Sequence, residues 1–209
     1  MNVVSYNRER DLKLSEATAK RMGTAFALVL ALAAATSTPA ATVSIDVERG
    51  TDTIDVRASA VLKADAATAW RVLTDYDRYV EFIPDLRLSH VVSRHGAMVT
   101  VEQSGDAALW ALKVPVQITF EINETAPNRL QSRTVAGSLR ALTSCYELTP
   151  VASGIRLDYV GHVTPRFELV GQIEQAALER TVTRQFQALA DEIERQGAIA
   201  RLRSVEGAR

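Results

Sequence analysis

The chain has 209 residues, enough for one domain with a leader or tail, and its 24 basic and 25 acidic residues leave a net charge of −1 at pH 7. That balance gives no electrostatic support to a nucleic-acid-binding surface. Hydrophobic residues make up 47%, which supplies a sizeable core, and the single Cys145 excludes an internal disulfide.

The first segment reads as targeting sequence rather than fold. Lys20 and Arg21 precede the apolar run Met22 to Ala35, and the small residues Ala35 to Ala41 follow it. This is the layout of a signal peptide with a long charged leader, and the apolar run is too short to span a bilayer comfortably. Residues 1–41 are therefore expected to direct export, in a bacterium to the periplasm; left uncleaved they would anchor the chain to the membrane. Taking five basic and three acidic residues from totals of 24 and 25 leaves 19 and 22, a net charge of −3. Such a domain has no basic face to hold anionic lipid, so membrane contact is expected to be transient at most.

Residues 42–52 form a short N-terminal segment before the expected domain, 53–197. From Thr53 to Lys63 apolar and polar residues alternate, with Ile54, Val56, Ala58, Ala60 and Leu62 on one face. Asp65 is a good N-cap for the helical spacing Ala66, Ala69, Trp70 and Leu73. An aromatic turn follows, closed by Pro84. Strand patterns then cover Leu86–Arg94, Ala97–Ser104, Trp110–Asn123, Arg129–Ala136, Ala141–Leu148 and Ile155–Thr164. Pro115 predicts a bulge or an edge in the third of these. Short connections make neighbouring strands antiparallel. Glu168 to Gln196 reads as a closing amphipathic helix stopped by Gly197, with a flexible tail, 198–209, beyond it. The expected class is α+β: a seven-stranded curved antiparallel sheet around a long C-terminal helix.

One run carries a family resemblance. Leu73-Thr74-Asp75-Tyr76-Asp77-Arg78-Tyr79 followed by Glu81-Phe82-Ile83-Pro84 resembles the signature of polyketide cyclase/dehydrase-like proteins. Those proteins have the START-like, helix-grip fold and are related to the coenzyme Q-binding START-domain proteins. Val101-Glu102-Gln103-Ser104-Gly105, Glu124-Thr125-Ala126-Pro127, Gly154-Ile155-Arg156-Leu157-Asp158-Tyr159 and Thr164-Pro165-Arg166-Phe167 agree in order and spacing. The chain departs from the pattern at Tyr146, where relatives often carry tryptophan, and near Leu169–Gly171, where many have proline. The resemblance implies a carrier of lipids, quinones or similar molecules, or a cyclase that steers a reactive chain by pocket shape. It implies no universal catalytic residue.

The residues themselves point the same way. Trp70, Phe82, Trp110, Phe120, Tyr146, Tyr159 and Phe186 fall on apolar faces, and Gln103 shares its face with Val99 and Val101. An oily cavity with a few polar groups is the usual form of a small-molecule site. Trp70, Phe82, Gln103, Trp110, Tyr146, Tyr159 and Phe186 are thus the candidate ligand contacts. His90, in phase with Leu86, Leu88 and Val92, and Tyr159 are the candidate acid–base groups of an alternative cyclase or dehydratase. The acids Asp75, Asp77, Glu81 and Asp85 read as caps and surface partners of nearby arginines. No HExxH, clustered His/Cys, GxSxG, GxGxxG or Walker pattern occurs, so neither a metal nor a cofactor is expected. The expected function is reversible binding or transport of a hydrophobic small molecule.

Overall fold

The structure is a computed structural model that describes residues 41–109, 112–166 and 171–207. The expected leader up to Ala40, the start of the closing helix and Trp110 lie outside the described residues.

Eight strands form one sheet: β1 (Val43–Arg49), β2 (Ile54–Leu62), β3 (Leu86–His95), β4 (Met98–Leu109), β5 (Leu112–Thr125), β6 (Arg129–Gly137), β7 (Ala141–Val151) and β8 (Gly154–Thr164). Their order is β1-β2-β8-β7-β6-β5-β4-β3, and every neighbouring pair is antiparallel. Helix α1 (Ala66–Thr74), a short 3-10 turn (Tyr76–Arg78) and α2 (Tyr79–Phe82) link β2 to β3, and α3 (Gly171–Glu206) follows β8. The sheet curves around α3, which touches α1, α2 and strands β1, β2 and β4.

The expected seven strands are eight. The additional strand, β1, lies in the stretch assigned to an N-terminal segment. Val43, Ile45 and Val47 alternate there with Ser44, Asp46 and Glu48, and the strand pairs along its whole length with β2. Strand β4 also runs past the expected end at Ser104, through Gly105-Asp106 to Leu109. Gly105 is needed for a close approach: a Cβ there would lie 2.3 Å from the Asp85 carbonyl oxygen. The Asp106 amide donates to that same oxygen at 2.9 Å. Pro115 sits where β5 has β4 on one side but has run past the paired part of β6, so its missing N–H interrupts no ladder on the β6 side.

Local chemistry explains the joints. The Asp65 carboxylate accepts from the Thr68 amide at 2.6 Å, capping α1 and drawing the Asp65 pKa down. Gly154 opens β8 at φ +143°, and a Cβ there would meet the Leu62 carbonyl oxygen at 2.0 Å.

Gly197 does not end α3, and the expected flexible tail is helical through Glu206. A Cβ on Gly197 would stand 2.7 Å from the Lys63 carbonyl oxygen and 2.9 Å from the Ala64 Cβ. The glycine lets the helix lie directly on the β2–α1 corner. Glu194 is buried at 7% exposure, and its carboxylate accepts from the Lys63 amide at 2.9 Å. Phe186, Leu189, Ala190 and Ile193 form the adjoining buried stripe and belong to one core cluster with Ala58, Ala60, Leu62, Leu148 and Leu157. Each large side chain of that stripe contributes about 1.5–3 kcal/mol of apolar burial.

Gly197→Ala gains helix propensity of about 1 kcal/mol but forces the helix off its corner, and overpacking of this kind costs about 1–3 kcal/mol. The expected outcome is a net loss of stability, read as a fall of a few degrees in the thermal midpoint by circular dichroism. A rise in the midpoint would contradict the close approach.

Candidate functional site

Between α3 and the concave face of the sheet lies a cavity of about 510 Å³. Its apolar wall includes Ile118 and Phe120 of β5, Leu142 and Tyr146 of β7, and Leu178 and Phe186 of α3. Tyr76, Tyr79 and Ile83, from the aromatic run between α1 and β3, also face it. This volume and this mainly oily lining suit a small organic molecule.

The sequence candidates divide. Gln103, Tyr146, Tyr159 and Phe186 line the cavity. Trp70 and Phe82 do not; they are half-buried against the surrounding core, with the Phe82 ring edge-on to Tyr79 at 5.6 Å. Trp110 lies outside the described residues. His90 is exposed on the outer face of β3, contrary to the inward position expected from its phase. Register shifts at Leu86/Leu88 and Val91/Ser93 reset the alternation, so Ser89 turns inward and Leu88 and Val92 turn out. His162 is on the surface, its Nδ1 2.5 Å from an Asp55 carboxylate oxygen.

Tyr146 and Tyr159 are direct partners across β7 and β8, with ring centroids 4.6 Å apart and planes tilted by 45°. Such a ring pair is worth about 0.5–1.5 kcal/mol beyond its buried area. Burial pushes both phenol pKa values up; the neighbouring Tyr159 and Tyr79 phenols add to the rise at Tyr146, and a hydrogen bond from Ser144 partly offsets it at Tyr159. Burial also raises Tyr76, whose hydroxyl donates to Glu124 at 3.0 Å, and Tyr79, whose hydroxyl donates to the Leu73 carbonyl at 2.7 Å.

The polar side chains of the wall are few and are held by one another. Ser132 and Ser144, on β6 and β7, stand 2.7 Å apart, oxygen to oxygen. The Gln103 amide donates to Ser89 at 3.1 Å. Sequence reading passed over the two serines, although they share the faces of Leu130 and Tyr146. The two carboxylates at the wall, Asp85 and Asp106, are paired outward: Asp85 with Arg184 at 2.6 Å and Asp106 with Arg87 at 2.8 Å. Asp85 has φ +64°, and Gln185 of α3 donates to the neighbouring Pro84 carbonyl at 3.4 Å. These contacts tie the α2–β3 corner to the helix. Of the other turn acids, Asp75 and Glu81 pair with Arg78, and Asp77 accepts from the Val91 amide. Among the described residues no group of three or more His, Cys, Asp or Glu could hold a metal ion.

A curved antiparallel sheet closed on a long C-terminal helix, with an oily hollow between them, is the helix-grip architecture. Residues 53–197 match the family described as polyketide cyclase/dehydrase and lipid transport, and the chain belongs to that family. Solved structures share the fold at low identity. A STAR-related lipid transfer protein from Xanthomonas axonopodis is 16% identical with a TM-score of 0.60, covering 74% of this chain and 94% of its own. The Zhui aromatase/cyclase from Streptomyces sp. R1128 is 14% identical with a TM-score of 0.58, covering 69% and 95%. A protein from Thermus thermophilus is 16% identical with a TM-score of 0.58, covering 70% and 98%. No curated protein matches the chain.

The cavity tyrosines set a limit at alkaline pH. Each native pKa lies above the unfolded value of about 10, so the folded state holds its phenol protons more tightly. The native state therefore binds more protons, and this contribution is complete below pH about 10 and falls as pH rises beyond it. The expected result is tyrosinate absorbance that appears together with unfolding, above the range of free tyrosine. Titration of four phenols at the free-tyrosine pH in a folded protein would contradict their burial.

Proposed function

We propose that this protein reversibly binds and carries a hydrophobic small molecule in the cavity between α3 and the sheet. The observation that carries the reading is a hollow of about 510 Å³ in a wall that the sequence could have filled with larger side chains. Protein interiors are otherwise close-packed, so a space of this size among aromatic and aliphatic groups has a stability cost and is kept for an occupant. A lipid, a quinone or a polyketide-like compound has the right chemistry for it. Family membership and the names of two similar structures, a lipid transfer protein and an aromatase/cyclase, support ligands of this kind.

The cyclase or dehydratase alternative needs a group in the cavity that exchanges a proton near neutrality. The groups described there are ill suited to it. Tyr159 is held protonated by burial, and Asp85 and Asp106 are tied to arginines. Carriage is the reading these features favour. Export to the periplasm, directed by residues 1–41, and transient membrane contact during loading complete the proposal. Detection of the mature chain in a periplasmic fraction, with its N-terminus near Ala41, would support the location.

The decisive test fills the hollow. Ile118→Trp and Leu142→Trp each add an indole to the cavity wall. We expect at least a tenfold loss of Nile red affinity in fluorescence titrations, with a thermal midpoint close to that of the parent. Native mass spectrometry of the parent should also show co-purified apolar cargo that the variants lack. Unchanged dye binding in folded variants would remove the cavity from the function.

A further inference from the structure

The described wall of the cavity has hydroxyl and amide side chains and two carboxylates among its apolar groups. Ser132, Ser144 and Tyr159 come from three adjacent strands, β6, β7 and β8, and all face the hollow. The serine hydroxyls are 2.7 Å apart, and the Tyr159 hydroxyl lies over Gly161, the register partner of Ser144. The Ser132–Ser144 contact uses one of the two serine protons, so the other O–H is available to an occupant of the space. Its natural partner is a carbonyl or hydroxyl oxygen on the occupant.

The same wall is hostile to an anion. Asp85 and Asp106 are the charged side chains among its described residues, and both are negative. The arginines next to them, Arg184 and Arg87, are engaged with those carboxylates and are themselves about half exposed to solvent. A carboxylate or phosphate drawn into the hollow would lose its water and, among the described residues of the wall, meet no free cation. Desolvation of an unpaired ion is among the costliest events in a protein interior.

We propose that the cavity selects an uncharged, oxygen-bearing ligand, seated with its carbonyl or hydroxyl on the Ser132–Ser144–Tyr159 row, and excludes the carboxylate form of the same skeleton. This rests on the carrier reading above and narrows it: a free fatty acid anion is not the cargo, and a neutral ketone, quinone or alcohol is.

Three probes of one shape test it at neutral pH: ethylnaphthalene, methyl naphthyl ketone and naphthoate, measured by displacement of Nile red. The ketone should bind several-fold more tightly than the hydrocarbon, and naphthoate at least tenfold more weakly than the ketone. The Ser132→Ala/Ser144→Ala double variant should lose most of the ketone's advantage and still bind ethylnaphthalene within twofold of the parent, which also reports that it has folded. Naphthoate binding within threefold of the ketone would overturn the proposal. So would an unchanged ketone-to-hydrocarbon ratio in a double variant that still binds ethylnaphthalene. If the double variant loses ethylnaphthalene as well, Ser144→Thr, which keeps the hydroxyl, must preserve the ratio, and failure there also overturns it. Failure of all three probes to displace the dye from the parent would instead defeat the carrier reading itself.

Discussion

The hollow exists because α3 is held at two places along its later part and lines open space toward its start. At one, Gly197 lies against Lys63 and Ala64, and Glu194 takes the Lys63 amide proton. At the other, Arg184 and Gln185 reach the Asp85 carboxylate and the Pro84 carbonyl. The helix face beyond Leu189 is in full core contact, with Ala190 and Ile193 completely buried. Toward its start, Leu178 and Val182 border the hollow and pack only against the small cluster of Val47, Ile54 and Val56. A helix free to settle would close that gap, since lost dispersion contacts penalise any void. The ties to backbone groups on both sides of α1 and α2 oppose such settling.

The aromatic run between α1 and β3 has two tasks in this arrangement. Tyr76 and Tyr79 direct ring surface toward the cavity while their hydroxyls satisfy Glu124 and the Leu73 carbonyl. Phenols can do both because they have an apolar body and a polar tip. Arg94 neutralises Glu124 from the outside at 2.7 Å, so the Tyr76 anchor ends in an ion pair rather than a lone buried charge. This part of the wall is thereby apolar toward the hollow, with its hydroxyls bonded behind it.

Much of this was legible in the sequence. The alternation in β2 and β8, the Asp65 cap and the antiparallel order all follow from local chemistry that tertiary contacts reinforce. Where the sequence misled, a long-range cause is visible. His90 was assigned inward because period-two phase was counted from Leu86, and no local signal announces the two register shifts in β3. Gly197 looked like a helix stop because its reason, the Lys63 carbonyl, lies far earlier in the chain. Trp70 and Tyr146 both sit on apolar faces, yet one fills core and the other borders empty space. Periodicity reports which face is buried; it carries no information about the shape of what lies opposite.

Ala41 is 7% exposed, and Gln187 of α3 donates to its carbonyl oxygen at 2.9 Å. The neighbouring strand β1 is zipped to β2 immediately afterwards. Proteases cut extended, accessible backbone, and that backbone is committed once the sheet has formed. Any maturation cut close to this point must therefore be completed on a nascent or still unstructured chain, which places processing ahead of folding in the order of events.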